Sequence, residues 1–303
     1  MSLAPLTVAV PAALPSPEVG AWSIGPLTIH AYALCILAGI MAAVWIAQKR
    51  IETRGGREGV VLDIALWAVP AGIIGARVSH VITTPEPYFG PGGSLVAALQ
   101  IWNGGLGIWG AVAGGAVGAW IAARRYDVPI GALADSVAPA LPVAQAIGRW
   151  GNWFNNELYG RETDVPWALE IHRWDSSTGR AVLYASGQAE VIGTFHPIFL
   201  YESIFCLLLA LALLLLDRRR SLHPGQLFGA YVMGYPLGRV VLETMRTDEA
   251  QIVLGQRLNV WTSLVVVVIG AVIWVLAGRR AKGATGAPDA PEDRVETPST
   301  TTG

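Results

Sequence analysis

Residues 139–160 read PALPVAQAIGRWGNWFNNELYG, an apolar run broken by two prolines that ends in Arg149, Asn152, Asn155, Asn156 and Glu157. Its surroundings decide how it is read. The 303-residue chain is 53% hydrophobic and 14% charged, with a mean hydropathy of +0.47. That is too apolar for an ordinary soluble enzyme and points to a polytopic membrane protein. A net charge of -1 offers no basic excess for a phosphate backbone, so no nucleic-acid partner is expected. Cys35 and Cys206 both lie in apolar runs and read as buried free thiols rather than a disulfide. The five histidines lack ligand spacing with Cys, Asp or Glu, so neither a metal nor a cofactor is expected. Residues 1–28 hold no Lys or Arg and no apolar core behind a basic start, so a cleaved signal peptide is not expected.

A spanning helix needs about 20 mostly apolar residues. Seven stretches meet this, near 29–48, 60–82, 104–123, 130–149, 197–216, 226–245 and 259–278. Basic residues gather in every second connection: Lys49, Arg50, Arg54 and Arg57, then Arg124 and Arg125, then Arg218, Arg219 and Arg220, then Arg279, Arg280 and Lys282. The positive-inside rule makes those connections cytoplasmic, the N-terminus external and the C-terminus internal. The fold expected is therefore an all-α, seven-helix membrane domain over 29–280. A small extracytoplasmic lobe should occupy 150–196, where WALEI and AVLYA alternate like short strands, behind an extracytoplasmic segment over 1–28. Residues 281–303, rich in Pro, Thr, Gly and acid, are expected to form a disordered cytoplasmic tail. Gly110, Gly114 and Gly118, and again Gly234 and Gly238, recur at spacing four, which suits close helix packing.

With this topology each ionisable residue acquires a depth. His30, Tyr32, Arg77, His80, Trp109, Arg149, His196, Tyr201, Glu202, Arg239 and Glu243 all fall in the outer half. A charge at mid-membrane costs roughly 2.5 to 3.5 kcal/mol on insertion scales, so such residues mark a site by default. Bland readings exist for each. Tyr32 and Tyr201 suit an interfacial aromatic belt, and Arg239 and Glu243, four apart, suit a structural ion pair. Arg77 could pack against a neighbour, and Asp63 and Asp135, near inner ends, suit capping. Taken together, Arg77, Arg149 and Arg239 at one depth would grip a phosphodiester bidentately. Such a site could flip a phospholipid, bind it or react with it. A solute channel would need polar residues in the inner half as well, and those are missing.

GRWGNWFNNELYG at 148–160 resembles the signature G-R-x-G-N-F-x-N-x-E-x-x-G of the bacterial prolipoprotein diacylglyceryl transferases. IHAY at 29–32, GAR at 75–77, WNGGLGIWG at 102–110, HPIFLYE at 196–202 and GRVVLETMR at 238–246 resemble further blocks of that family, in the same order. The resemblance implies a plasma-membrane enzyme with seven helices. It would move the diacylglyceryl group of phosphatidylglycerol to the lipobox cysteine of a prolipoprotein signal peptide, releasing glycerol phosphate. Its partners would be those two substrates and membrane lipid. The alternative function is a non-catalytic phospholipid binder or flippase.

Depth and resemblance together nominate Arg149, Arg239, Glu157 and His196 as catalytic. Tyr32, His30, Arg77, Asn152, Gly160, Tyr201, Glu202, Glu243 and Arg246 are nominated for substrate binding. The resemblance gives Arg149 and Arg239 the phosphate, Asn152 and Glu157 the headgroup, and Tyr32 and Glu243 the rest of the site. Many family members carry a histidine, favoured as general base, where this chain has Trp109. Deprotonation of the thiol would then fall to His196, Glu157 or Glu202, or the arginine field alone would lower the thiol pKa. His196 could equally be a cap before Pro197.

Overall fold

The computed structural model describes residues 13–25, 27–247 and 252–284. A hairpin of β1 (Ala21–Ile24) and β2 (Leu27–His30) leads into α1 (Ala31–Glu52) and α2 (Val60–Thr83). The connection to α4 (Ile108–Arg125) carries the short α3 (Glu86–Phe89). After α4 come α5 (Ile130–Val137) and α6 (Ala140–Phe154). Strands β3 (Leu169–His172), β4 (Trp174–Asp175), β5 (Arg180–Ala181) and β6 (Val191–Phe195) form two small antiparallel ladders. Then follow α7 (Ile198–Arg219), α8 (Gln226–Glu243), the hairpin β7 (Ile252–Val253) and β8 (Gln256–Arg257), and α9 (Leu258–Ala284).

Four of the helices, α1, α2, α7 and α9, are long and apolar enough to cross a membrane, and α5 with α6 would make a fifth, bent by 42°. The bend has a covalent origin. Pro139 precedes α6 and Pro142 falls in its first turn, where a missing N–H costs nothing but the preceding helix cannot continue. The other two expected spans, α4 and α8, have 18 residues each and are not apolar enough to join that set. Large apolar side chains such as Leu37, Met41, Trp45, Leu66 and Val268 are exposed on the helices, the inverse of a soluble bundle.

Helix α2 packs on α4, α1 on α6, α6 on α7 and α8 on α9. The α2–α4 crossing depends on backbone approaching backbone: a Cβ on Gly110 would collide with the Gly75 carbonyl oxygen and with Ser79 Cβ. Without a hydrophobic force between helices in lipid, such contact surface is what drives their association. The Gly110, Gly114 and Gly118 stripe therefore acts in packing, Gly118 lying against Ala71 and the Trp67 carbonyl.

One end of the bundle gathers the C-termini of α1 and α7 with the N-terminus of α8. Asp217 pairs with Arg50 and Arg54, and Asp63 with Arg57. Buried Asp135 accepts the backbone N–H of Gly225 (2.8 Å) and Phe228 (2.9 Å), capping α8 from another helix. At the opposite end, Leu169 and Ile171 of β3 pack on Phe199, Trp153 and Tyr159. The β-structured segment is thereby seated on the ends of α6 and α7. Two expectations shift here. The helix α9 continues to Ala284 rather than giving way at residue 281, and 285–303 lie outside the described residues, as do 1–12. The β1–β2 hairpin was not foreseen.

Gly110→Val should destabilise the protein by about 3 kcal/mol or more, because overpacking here must move backbone. Gly115→Ala, whose added carbon would have its nearest neighbour at 3.6 Å, should not. Thermal unfolding of the two purified variants in detergent compares them directly.

Candidate active site

The site begins with helical spacing. On α8, Tyr231, Tyr235, Arg239 and Glu243 recur every four residues and share one face. On α6, Gln145 and Arg149 do the same, and the two faces meet. Gln145 Nε2 donates to the Tyr231 hydroxyl (3.0 Å) and Arg149 Nη2 to the Tyr235 hydroxyl (3.3 Å). Helix α7 adds Glu202, buried between them.

Glu202 joins two helices by charge. One carboxylate oxygen pairs with Arg149 Nε at 2.6 Å and the other with Arg239 Nη1. Arg239 Nη2 reaches on to Glu243 (3.2 Å), whose other oxygen takes Arg257 Nε (2.9 Å) and the Asn259 amide (2.8 Å). The result is an alternating chain, Arg149–Glu202–Arg239–Glu243–Arg257, carried by α6, α7, α8 and β8. The carboxylates are sealed in, with side chains 4% and 2% exposed, while the three arginines keep 16–20%. Three guanidinium groups against two carboxylates leave one net positive charge. Water has little access to that charge, so it acts strongly on a neighbouring anion.

The rest of the 148–160 motif divides into two tasks. Asn152 and Asn155 both donate to Glu157 Oε1, at 2.9 and 3.3 Å. Asn156 donates to the Pro17 carbonyl (2.9 Å) and accepts the His172 N–H (3.0 Å), tying the N-terminal segment to the β ladder. The turn is strained on both sides of Glu157, since Asn156 and Leu158 have φ of 50° and 56°. For leucine this left-handed backbone costs roughly 1–2 kcal/mol, the kind of strain that concentrates at functional sites. It holds the exposed Glu157 where the two asparagines meet it.

Tyr32 of α1 lies against Gly151, where a Cβ would come within 2.6 Å of its ring. A Cβ on Gly160 would come within 2.8 Å of His196 Cβ and 3.1 Å of Ile198, and the Gly160 backbone pairs with that of Arg246. Arg257 Nη1 donates to the Arg246 carbonyl (3.0 Å), which links this bridge to the ion chain. His196 does not cap α7. Its Nδ1 meets the Tyr201 hydroxyl at 3.1 Å, and that hydroxyl also accepts the Trp167 indole N–H at 2.8 Å. His30 is exposed at the end of β2 and makes no capping bond to α1.

Arg77 is used differently. Its Nε donates to the Ala98 carbonyl (2.8 Å), and Nη1 donates to those of Gly104 (2.8 Å) and Gly105 (3.0 Å). Nη2 reaches the Ala97 carbonyl, and the guanidinium stacks on Tyr88. All three nitrogens serve the 86–107 connection, so Arg77 organises that loop and, among the described residues, makes no hydrogen bond to the Arg149–Arg239 cluster. Trp109 is 61% exposed. The sequence reading missed Arg257, Asn259, Tyr235 and Gln145. The first two stand at the start of the last apolar run, at the depth that singled out the others.

The family model of prolipoprotein diacylglyceryl transferase matches residues 19–276. The phosphatidylglycerol–prolipoprotein diacylglyceryl transferase of Paenarthrobacter aurescens is 50% identical over 277 residues, 91% of this chain and 87% of that protein. The Streptomyces griseus protein of the same name is 50% identical over 270 residues, 89% of this chain and 79% of its own. That of Corynebacterium efficiens is 51% identical over 269 residues, 88% and 84%. The chain belongs to the prolipoprotein diacylglyceryl transferase family.

Removing one member of the ion chain should leave its partners buried and unpaired. Glu202→Ala is expected to cost about 3–5 kcal/mol in unfolding free energy, against a smaller loss for the isosteric Glu202→Gln. Denaturant unfolding in mixed micelles measures both.

Proposed function

We propose that the ion chain binds the phosphate of phosphatidylglycerol and that the thiol of a prolipoprotein's lipobox cysteine attacks the adjoining glyceryl carbon. The enzyme transfers the diacylglyceryl group from the lipid to the prolipoprotein. A carbon–oxygen bond of the phosphodiester breaks, a carbon–sulfur thioether forms, and glycerol phosphate departs with the electron pair. Negative charge grows on the leaving phosphate, so fixed guanidinium groups that pair with it best at that moment lower the barrier. The observation that carries this reading is the shared carboxylate of Glu202, which fixes Arg149 and Arg239 side by side. Arg149 Nη1 then remains for the lipid oxygens.

The other roles follow from the same placement. Asn152 and Glu157 would receive the headgroup hydroxyls, Tyr32 would wall the site, and Gly160 with Arg246 would close its floor. Glu243 would hold Arg239, and Tyr201 would orient His196 as the thiol's base. Seven spans are proposed by counting α4, the α5–α6 pair and α8 with the four long helices. The basic ends of α1, α4, α7 and α9 then face the cytoplasm. The β-structured lobe and the ion chain lie toward the outer leaflet, with the N-terminus outside. The enzyme would occupy the bacterial plasma membrane, and residues 285–303 would be a cytoplasmic tail. On this placement the cysteine just beyond a signal helix meets the headgroup at one depth.

Purified protein incubated with phosphatidylglycerol and a lipobox peptide should yield a diacylglyceryl thioether and free glycerol phosphate. Lipid binding without consumption of the thiol would instead favour the binder or flippase. Arg149→Gln and Arg239→Gln should each lower kcat by about 10²- to 10³-fold. His196→Gln should slow turnover by about 10²-fold near pH 7 and recover as pH rises through the ordinary thiol pKa of about 8.5. Near-normal turnover of that variant at both pH values removes His196 from the mechanism.

A further inference from the structure

The end of the bundle opposite the ion chain holds a second concentration of arginines, which the transfer reaction does not use. A cavity of about 490 Å³ opens there, lined by Arg54, Arg218, Arg219, Arg220, Asp135 and Asp217 among others. Its two carboxylates are already engaged. Asp217 is shared by Arg50 (3.0 Å) and Arg54 (2.7 Å), and Asp135 accepts the backbone N–H groups that open α8. Arg218, Arg219 and Arg220 are exposed and have no ion pair or side-chain hydrogen bond among the described residues. Four arginines thus line the cavity with two carboxylates, a surplus of two positive charges around a concave space, and Arg50 behind them pairs with Asp217 as well.

The helix that carries them says what kind of anion fits. Stepping back from Arg219 by four, four, three and four residues reaches Leu215, Leu211, Leu208 and Ile204, which share its face of α7. All four are exposed, between 39% and 59%, so an exposed apolar stripe ends one helical turn before Arg219, which lines the cationic cavity. A soluble anion would use only the cavity. An amphiphile would use both.

We infer that this cavity binds an anionic phospholipid that is not being consumed, with its phosphate among Arg218, Arg219 and Arg220 and its acyl chains along the α7 stripe. The inference rests on the reading that the bundle spans a bilayer. It is separate from the catalytic lipid, because Arg218 lies 16 residues beyond Glu202 on one helix, about 24 Å along its axis. A headgroup held there is in the opposite leaflet.

The test uses the delipidated full chain and phosphatidylserine, an anionic lipid without the glycerol headgroup, with binding counted by native mass spectrometry. Each arginine near a membrane surface contributes roughly a fivefold gain for an anionic lipid. R218Q/R219Q/R220Q should therefore weaken one phosphatidylserine site by about a hundredfold and leave phosphatidylcholine retention unchanged. Arg219→Gln alone, at an exposed position, should lose roughly fivefold, which serves if the triple variant does not fold. Leu211→Asn with Leu215→Asn should weaken the lipid and leave binding of inorganic phosphate as it was. Equal phosphatidylserine binding by wild type and both arginine variants overturns the site. Displacement of the lipid by excess inorganic phosphate, with no effect of the leucine changes, overturns the lipid assignment. Diacylglyceryl transfer is measured on the same preparations. Transfer without the lipid difference refutes this inference alone, and the lipid difference without transfer refutes the proposed reaction alone.

Discussion

Two carboxylates that water cannot reach, Glu202 and Glu243, hold three arginines in place, and the site depends on that arrangement. Desolvating a carboxylate costs several kcal/mol even after relaxation, and a guanidinium group costs as much. Neither ion would persist here alone. Arginine suits the task because its planar fork can pair with one carboxylate through one nitrogen and with another through the next, as Arg239 does. A lysine would offer a single point charge and could serve one bridge well. The chain also ends in arginines rather than glutamates, so its net charge is positive. The proposed binding of a lipid phosphate draws on that excess.

The same chain fixes helix positions. It crosses from α6 to α7, α8 and β8, elements that lie apart in the sequence, and it does so at one end of the bundle only. At that end the ladders of Gln145 with Tyr231 and Arg149 with Tyr235 continue the polar face one turn deeper. At the other end the charges are used against loops and helix termini, as Asp135 and Asp217 illustrate. Both ends are rich in arginine and bury a carboxylate, but Asp135 is held by backbone N–H groups, whereas Glu202 and Glu243 are held by guanidinium groups.

Depth was legible in the sequence, because an ionisable residue inside an apolar run is conspicuous. Arg149, Glu202, Arg239 and Glu243 were found that way, and the structure brings them into contact. Rotation about the bundle axis was not legible. Arg77 has the right depth, yet it belongs to the α2–α4 pair, where Gly75 and Gly110 bring backbones together and its donors meet the 97–105 carbonyls. Tyr235 and Gln145 were invisible for the opposite reason. A single tyrosine or glutamine in an apolar helix carries too little polarity to stand out until its partner on α6 or α8 is known. Hydropathy also located the proline break in 130–154 but not its 42° bend, nor the β1–β2 hairpin, whose pairing is set by backbone hydrogen bonds.

The replacement of histidine by Trp109 narrows the question of where the thiol proton goes. An exposed indole can neither accept a proton nor, at 61% exposure, shield the ion chain. Besides Glu157 and Glu202, two acceptors stand in the proposed reaction. One is His196, whose Nε2 can accept a proton in the tautomer in which Nδ1–H donates to the Tyr201 hydroxyl. The other is the leaving phosphate monoester itself, whose second pKa is about 6 and which therefore holds its last proton weakly near neutrality. An arginine chain weakens that second acceptor, because stabilising the dianion lowers its affinity for a proton. The stronger the leaving-group stabilisation by Arg149 and Arg239, the more the proposed reaction needs a separate base, the role proposed for His196, which Tyr201 and Trp167 hold in place.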